Sequence, residues 1–182
     1  PARNTIPYYG TDTAEVKLML PYFRKPNVAF RESHGLYGVD VSLSDEYTLA
    51  AADKNPMGIN VLNGEKILAN GKELFTAMCQ HCHGEKGDGQ GILVKREKIL
   101  GIPSYADPGR LITPGGVYHV QMYGLNSMGS YASQTNQEER WAITQHVMNL
   151  KATLEGTPLL VPEVTAADKT EEKSTSTSVA GH

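Results

Sequence analysis

The sequence predicts a mostly α-helical domain with long turns, preceded by an irregular arm and followed by a polar tail. Apolar residues recur at three- and four-residue spacing between Gly64 and Leu154, alternating strand pairs and internal repeats are absent, and glycines and prolines stand where helices should stop. At 182 residues the chain has room for one core and its extensions. The expected divisions are an arm over 1–56, a helical domain over 57–155 and a low-complexity tail over 156–182.

The arm holds Pro1, Pro7, Pro21, Pro26 and Pro56, together with Tyr8, Tyr9, Tyr22, Tyr37 and Tyr47. That punctuation leaves one short helix over TAEVKLML before Pro21; the rest reads as extended chain and turns whose aromatic groups gain by burial against the domain or a neighbour. A leader without fixed structure is the competing reading. In ANGKELFTAMCQHCHG, Asn70 can cap a helix in which Leu74, Phe75, Met78 and Cys82 share one face, ending near Gly84. In ITPGGVYHVQMYG, Thr113 caps, Pro114 opens the first turn and Gly124 stops the helix. In NQEERWAITQHVMNLKATLEG, acidic residues lead, Ile143, Val147, Leu150 and Leu154 keep helical period, and Gly156 with Pro158 ends it. The stretch EVTAADKTEEKSTSTSVAGH lacks the large apolar groups a packed structure needs and is expected to be disordered.

A formal net charge of -3 offers no electrostatic reason for binding nucleic acid or an anionic membrane surface. The longest apolar runs fall well short of a spanning helix, so no transmembrane segment is expected. The opening PARNTIPYYG lacks a basic start followed by an apolar stretch, which suggests either an intracellular protein or one whose signal has been removed.

The only two cysteines, Cys79 and Cys82, lie three positions apart and are followed at once by His83. A redox dithiol would sit at a helix start after a strand and has no use for the histidine. A zinc site would need two further ligands, and His81, His119 and His146 do not supply the paired spacing. Covalent haem attachment uses all three residues: two thioethers one helical turn apart, and an imidazole carried beneath the iron as proximal ligand. The motif therefore predicts one haem c on Cys79, Cys82 and His83, with His81 a spacer between the anchors. Haem ligation to thiols takes place outside the bacterial cytoplasm or in an organellar equivalent, which implies export and a removed signal.

The sixth ligand decides what such a haem does. His119, Met122, His146 and Met148 fall within predicted helices, where packing is the ordinary role. Met128 lies in YGLNSMGSYASQ, a glycine- and serine-rich loop before the last helix that can lay a thioether over the iron. It is the expected second iron ligand.

The combination of GKELFTAMCQHCHGEKGDGQG, GGVYHVQMYGLNSM and ERWAITQHVMNLK resembles class I cytochrome c. That resemblance implies that the helix before the haem motif crosses the C-terminal helix, with Gly71 and Phe75 meeting Val147 and Leu150. It also implies that Pro103, in GIPSY, accepts the imidazole N–H of His83 on its carbonyl. The chain departs from the usual pattern at His146, where an aromatic is common, and at Gly129, where proline often follows the methionine. More narrowly, residues 55–154, preceded by a tyrosine- and proline-rich arm, are similar to the monohaem cytochrome c subunit of bacterial alternative complex III, a quinol-oxidising membrane assembly. This implies a non-enzymatic electron-transfer subunit of a respiratory chain, peripheral on the periplasmic side of the inner membrane, with a multihaem cytochrome as donor and an oxidase as acceptor. Members are often tethered by a lipidated N-terminal cysteine, which this sequence does not show.

Between residues 65 and 98, Lys66, Lys72, Lys86, Lys95, Arg96 and Lys98 face Glu65, Glu73, Glu85, Asp88 and Glu97, so the charges nearly cancel. A diffusing carrier often uses a one-signed field to steer encounter. The balance favours a docked subunit over a freely diffusing periplasmic shuttle. A gas-binding or sensor haem would need an open distal site, and a peroxidase a distal acid-base pair that the sequence does not offer. Arg140 and Trp141 are candidate partners for the haem propionates.

Overall fold

The computed structural model describes residues 43–57 and 61–159. The arm before residue 43, with its expected helix over TAEVKLML, and nearly all of the tail lie outside the described residues. Six helices follow in order among the described residues: α1 (Leu43–Ala50), α2 (Val61–Met78), α3 (Gln80–His83), α4 (Ile92–Lys95), α5 (Pro114–Tyr123) and α6 (Gln137–Glu155). No strand occurs among them, only a bridge between Leu125 and Met128.

The long helices α2 and α6 cross in close contact. At the crossing a Cβ built on Gly71 would stand 2.1 Å from the carbonyl oxygen of Ala142. Only glycine permits that approach. It brings Phe75, one turn further along α2, into a cluster with Cys79, Tyr105, Ile143 and Val147, flanked by Leu74, Met78 and Leu150. Phe75 is 1% exposed, which for a phenylalanine contributes roughly 2–3 kcal/mol of transfer free energy. The resemblance pairs Gly71 and Phe75 with Val147 and Leu150; the structure packs Phe75 with those two residues as expected and sets Gly71 against Ala142 instead.

Asn70 is not a cap, since α2 begins at Val61 and Asn70 lies exposed in its interior. Asn-Gly is a strong local turn signal, but the packing of Gly71 against α6 outweighs it. The other two helix starts form as expected. Thr113 accepts from Gly116 N–H at 3.2 Å, with Pro114 in the first turn. Asn136 and Glu139 cap α6 reciprocally: Asn136 Oδ1 accepts from Glu139 N–H at 2.9 Å, and Glu139 Oε2 from Asn136 N–H at 2.8 Å. Gly156 closes α6 in the left-handed conformation.

The expected boundary at residue 57 falls inside packed structure. Residues 43–50 are helical where an extended arm was expected, and α1 lies on α5 so closely that a Cβ on Gly115 would be 1.9 Å from Ala50 O. Asn55 Nδ2 reaches the carbonyl of Trp141 at 3.4 Å. The reason is local: Tyr47 buries its ring edge to face against His119, centroids 4.5 Å apart, which ties the segment down.

His146 takes the place on α6 that an aromatic commonly fills and packs its ring 5.1 Å from Phe75. Burial, and then the nearby Lys72 ammonium, lower its pKa from 6.5 to about 4. The folded state therefore holds this ring neutral where the unfolded chain would protonate it. Its effect on stability is absent above pH 6.5, grows as the pH falls toward about 4, and is constant below that.

Two outcomes follow. Gly71→Ala should destabilise the protein by about 1–3 kcal/mol in denaturant unfolding, because overpacking the crossing outweighs alanine's helix preference; a gain of about 1 kcal/mol, the propensity effect alone, would mean that the helices do not meet there. His146→Phe should flatten the loss of stability between pH 6.5 and about 4, measured as the unfolding midpoint across that range.

Candidate haem site

The site is built where α2 gives way to α3. Cys79 N–H still bonds the Phe75 carbonyl at 2.8 Å, and the amides of Cys82 and His83 both return to the Cys79 carbonyl, at 3.1 and 3.0 Å. The backbone thus completes one tight turn between the two cysteines, which are not disulfide-bonded. Burial, and then Cys82, push the Cys79 thiol up to about 12, and burial also raises Cys82. Both sulfurs stay as neutral S–H groups near neutral pH.

Helix ends leave carbonyls unsatisfied, and the glycine-rich loop after His83 supplies the missing donors. Gly89 N–H bonds the His83 carbonyl at 2.9 Å and Gly91 N–H bonds the Cys82 carbonyl at 3.1 Å. The approach is so close that a Cβ on Gly91 would lie 2.3 Å from His81 O. Gly89, at φ 74, is in the left-handed region, and a Cβ there would meet Ile102 O at 2.4 Å. The loop therefore locks the motif from outside and holds the segment around Pro103 against it.

His83 is half-buried, and its Nδ1 is buried without a hydrogen-bond partner. Burial, then the neighbouring His81, lower its pKa, which favours the neutral imidazole that a metal requires. The expected bond from this ring to the Pro103 carbonyl is not formed in the structure. The imidazole instead lies face to face with Tyr105, centroids 5.2 Å apart and planes at 20°, while Pro103 is drawn against the Gly89 backbone. Two unpaired thiols a turn apart and an adjacent imidazole whose buried nitrogen is uncommitted fit a haem held by two thioethers and one axial histidine.

Two tyrosines that sequence reasoning did not single out border this centre. Tyr105 is buried between His83 and Phe75, and burial followed by Cys79 raises its pKa well above 10. Tyr131 donates its hydroxyl to the Met78 carbonyl at 3.2 Å; burial and then the two cysteines raise its pKa. An aromatic in each of two glycine-bearing loops was the available signal.

Met128 lies on the α5–α6 loop, half-buried, three residues before Tyr131. The structure thus anchors its loop at the carbonyl that precedes Cys79. The other candidates are taken up by packing. His119 is 0% exposed, between Tyr47 and Tyr123. His146 is against Phe75. Arg140 donates to the carbonyl and hydroxyl of Thr135 and lies over the Tyr118 ring, and Trp141 stacks on that ring at 4.3 Å. Both are occupied at the α5–α6 interface. The segment VKREK is solvated: Lys95, Arg96, Glu97 and Lys98 are all exposed.

His83→Gly should leave the porphyrin attached, since both thioethers remain, and abolish the low-spin optical spectrum; adding imidazole should restore it. A low-spin spectrum unchanged by the substitution would remove His83 from the iron.

Residues 67–147, from α2 into α6, match the family model described as cytochrome C oxidase, cbb3-type, subunit III. A comparison of the chain with curated proteins gives no match. With its C-x-x-C-H turn, the α2–α6 crossing and this match, the segment 67–147 is a cytochrome c domain, which implies one covalently bound haem c and supports a haem-based electron-transfer function.

Proposed function

We propose that this protein is the monohaem cytochrome c subunit of a respiratory quinol-oxidising membrane complex of the alternative complex III kind. In this reading it is exported, sits on the periplasmic side of the inner membrane, accepts electrons from a multihaem cytochrome subunit and passes them toward a terminal oxidase. His83 and Met128 are its axial ligands. Bound haem supplies reversible one-electron ferric–ferrous chemistry, and a methionine ligand favours the ferrous form and raises the potential.

The observation that supports the reading is the anchoring of the Met128 loop, through the Tyr131 hydroxyl, to the Met78 carbonyl at the end of α2, next to the C-x-x-C-H turn. Tyr105 and Phe75 are buried against each other, with Tyr105 on the His83 ring. The near-balanced charges around the motif supply no steering field, consistent with a fixed partner. No helix among the described residues is long and apolar enough to cross a membrane.

The matched family favours a second reading, in which the domain serves a cbb3-type oxidase directly. Fractionation of solubilised native membranes separates the possibilities. Co-migration with quinol-oxidising activity is expected; co-migration with oxidase activity alone would support the second reading, and recovery in the soluble fraction would indicate a diffusing shuttle. Met128→Ala should abolish the weak long-wavelength ferric band of methionine ligation and make the ferrous protein bind carbon monoxide rapidly at neutral pH. Rapid binding by the parent protein would instead mean an open distal site.

A further inference from the structure

Gly124 ends α5 at φ 80, with its N–H on the Val120 carbonyl at 2.8 Å. The next peptide unit begins the Met128 turn: Leu125 N–H bonds Met128 O, and Met128 N–H bonds Leu125 O, both at 2.9 Å. The Gly124 carbonyl and the Leu125 N–H belong to one rigid peptide plane. The Tyr47 hydroxyl, from α1, donates to that Gly124 carbonyl. One edge of the plane is therefore held by Tyr47 and the other holds the backbone of Met128. The far end of the loop is fixed separately, by Ser130 Oγ on the Met122 carbonyl at 2.6 Å and by Tyr131 N–H on the Gln121 carbonyl at 2.8 Å.

We propose that Tyr47 is a positioning residue for Met128, and that α1, which precedes the segment matched by the cytochrome family model, braces the loop carrying the distal ligand. The proposal rests on the reading of Met128 as sixth ligand. The brace has its own footing: the Tyr47 ring on His119, and Ala50 seated on Gly115, fix α1 to α5 independently of the hydroxyl. Removing the hydroxyl alone should loosen the loop without detaching the helix.

The test uses the haem-loaded full chain and Tyr47→Phe, which keeps the ring and deletes the donor. In the ferric protein, the affinity for added imidazole, which competes with the methionine, should rise about two- to tenfold, the range expected for losing one neutral hydrogen bond. Amide exchange at Leu125 should quicken by a similar factor while Val147, in the core, is unchanged. Unchanged affinity and exchange would overturn the proposal, as would quickening that is equal at Leu125 and Val147, because the effect would then be global. If Tyr47→Phe fails to load haem, exchange in the parent protein decides: Leu125 should open together with Ala51, whose amide bonds the Tyr47 carbonyl, and protection of Leu125 that outlasts Ala51 would refute the brace. Met128→Ala is measured beside it. Imidazole affinity equal to the parent's in that variant would sink the ligand assignment, while the exchange data would still judge the hold of Tyr47 on the loop.

Discussion

The structure depends on a contact with nothing in it: the missing side chain at Gly71. Because no atom stands between the α2 backbone and the Ala142 carbonyl, two long helices approach to a distance that an ordinary residue would forbid. Everything near the cofactor is measured from that crossing. Phe75 follows one turn later into the core, and Cys79 follows Phe75 by another turn, so the haem motif emerges against Val147 rather than in solvent. The glycine loop then wraps the exposed carbonyls of the motif with its own amides. A covalent cofactor attached to a frayed helix end would be free to tumble. Here the carbonyls of Cys82 and His83 are already held by the amides of Gly91 and Gly89.

Much of this was legible in the sequence because it depends on local chemistry. The C-x-x-C-H spacing, the Thr113–Pro114 start and the acidic entry to α6 each encode their structure within a few residues. What failed depends on distant contacts. Asn70-Gly71 reads locally as a helix start, and only the arrival of α6 explains a glycine in mid-helix. The segment 43–57 reads as arm, since nothing in its own sequence announces that Tyr47 finds His119 and Gly124 more than seventy positions away. Pro103 was assigned through resemblance, and in the structure its backbone serves the Gly89 approach while His83 faces Tyr105.

Three tyrosines outside the haem motif organise its surroundings. Tyr105 covers the His83 imidazole, Tyr131 ties the Met128 loop to the end of α2, and Tyr47 holds the root of that loop from a helix ahead of the matched segment. Tyr47 and Tyr131 each spend a hydroxyl on a backbone carbonyl and Tyr105 lays its ring on that of His83, contacts that short-range sequence patterns do not reveal.

The most direct measurement is the intact mass, under denaturing conditions, of the protein matured in a host that ligates haem to thiols. The account predicts the polypeptide mass plus one porphyrin that survives unfolding and acid extraction. A bare polypeptide, or a haem released when the chain unfolds, would contradict it.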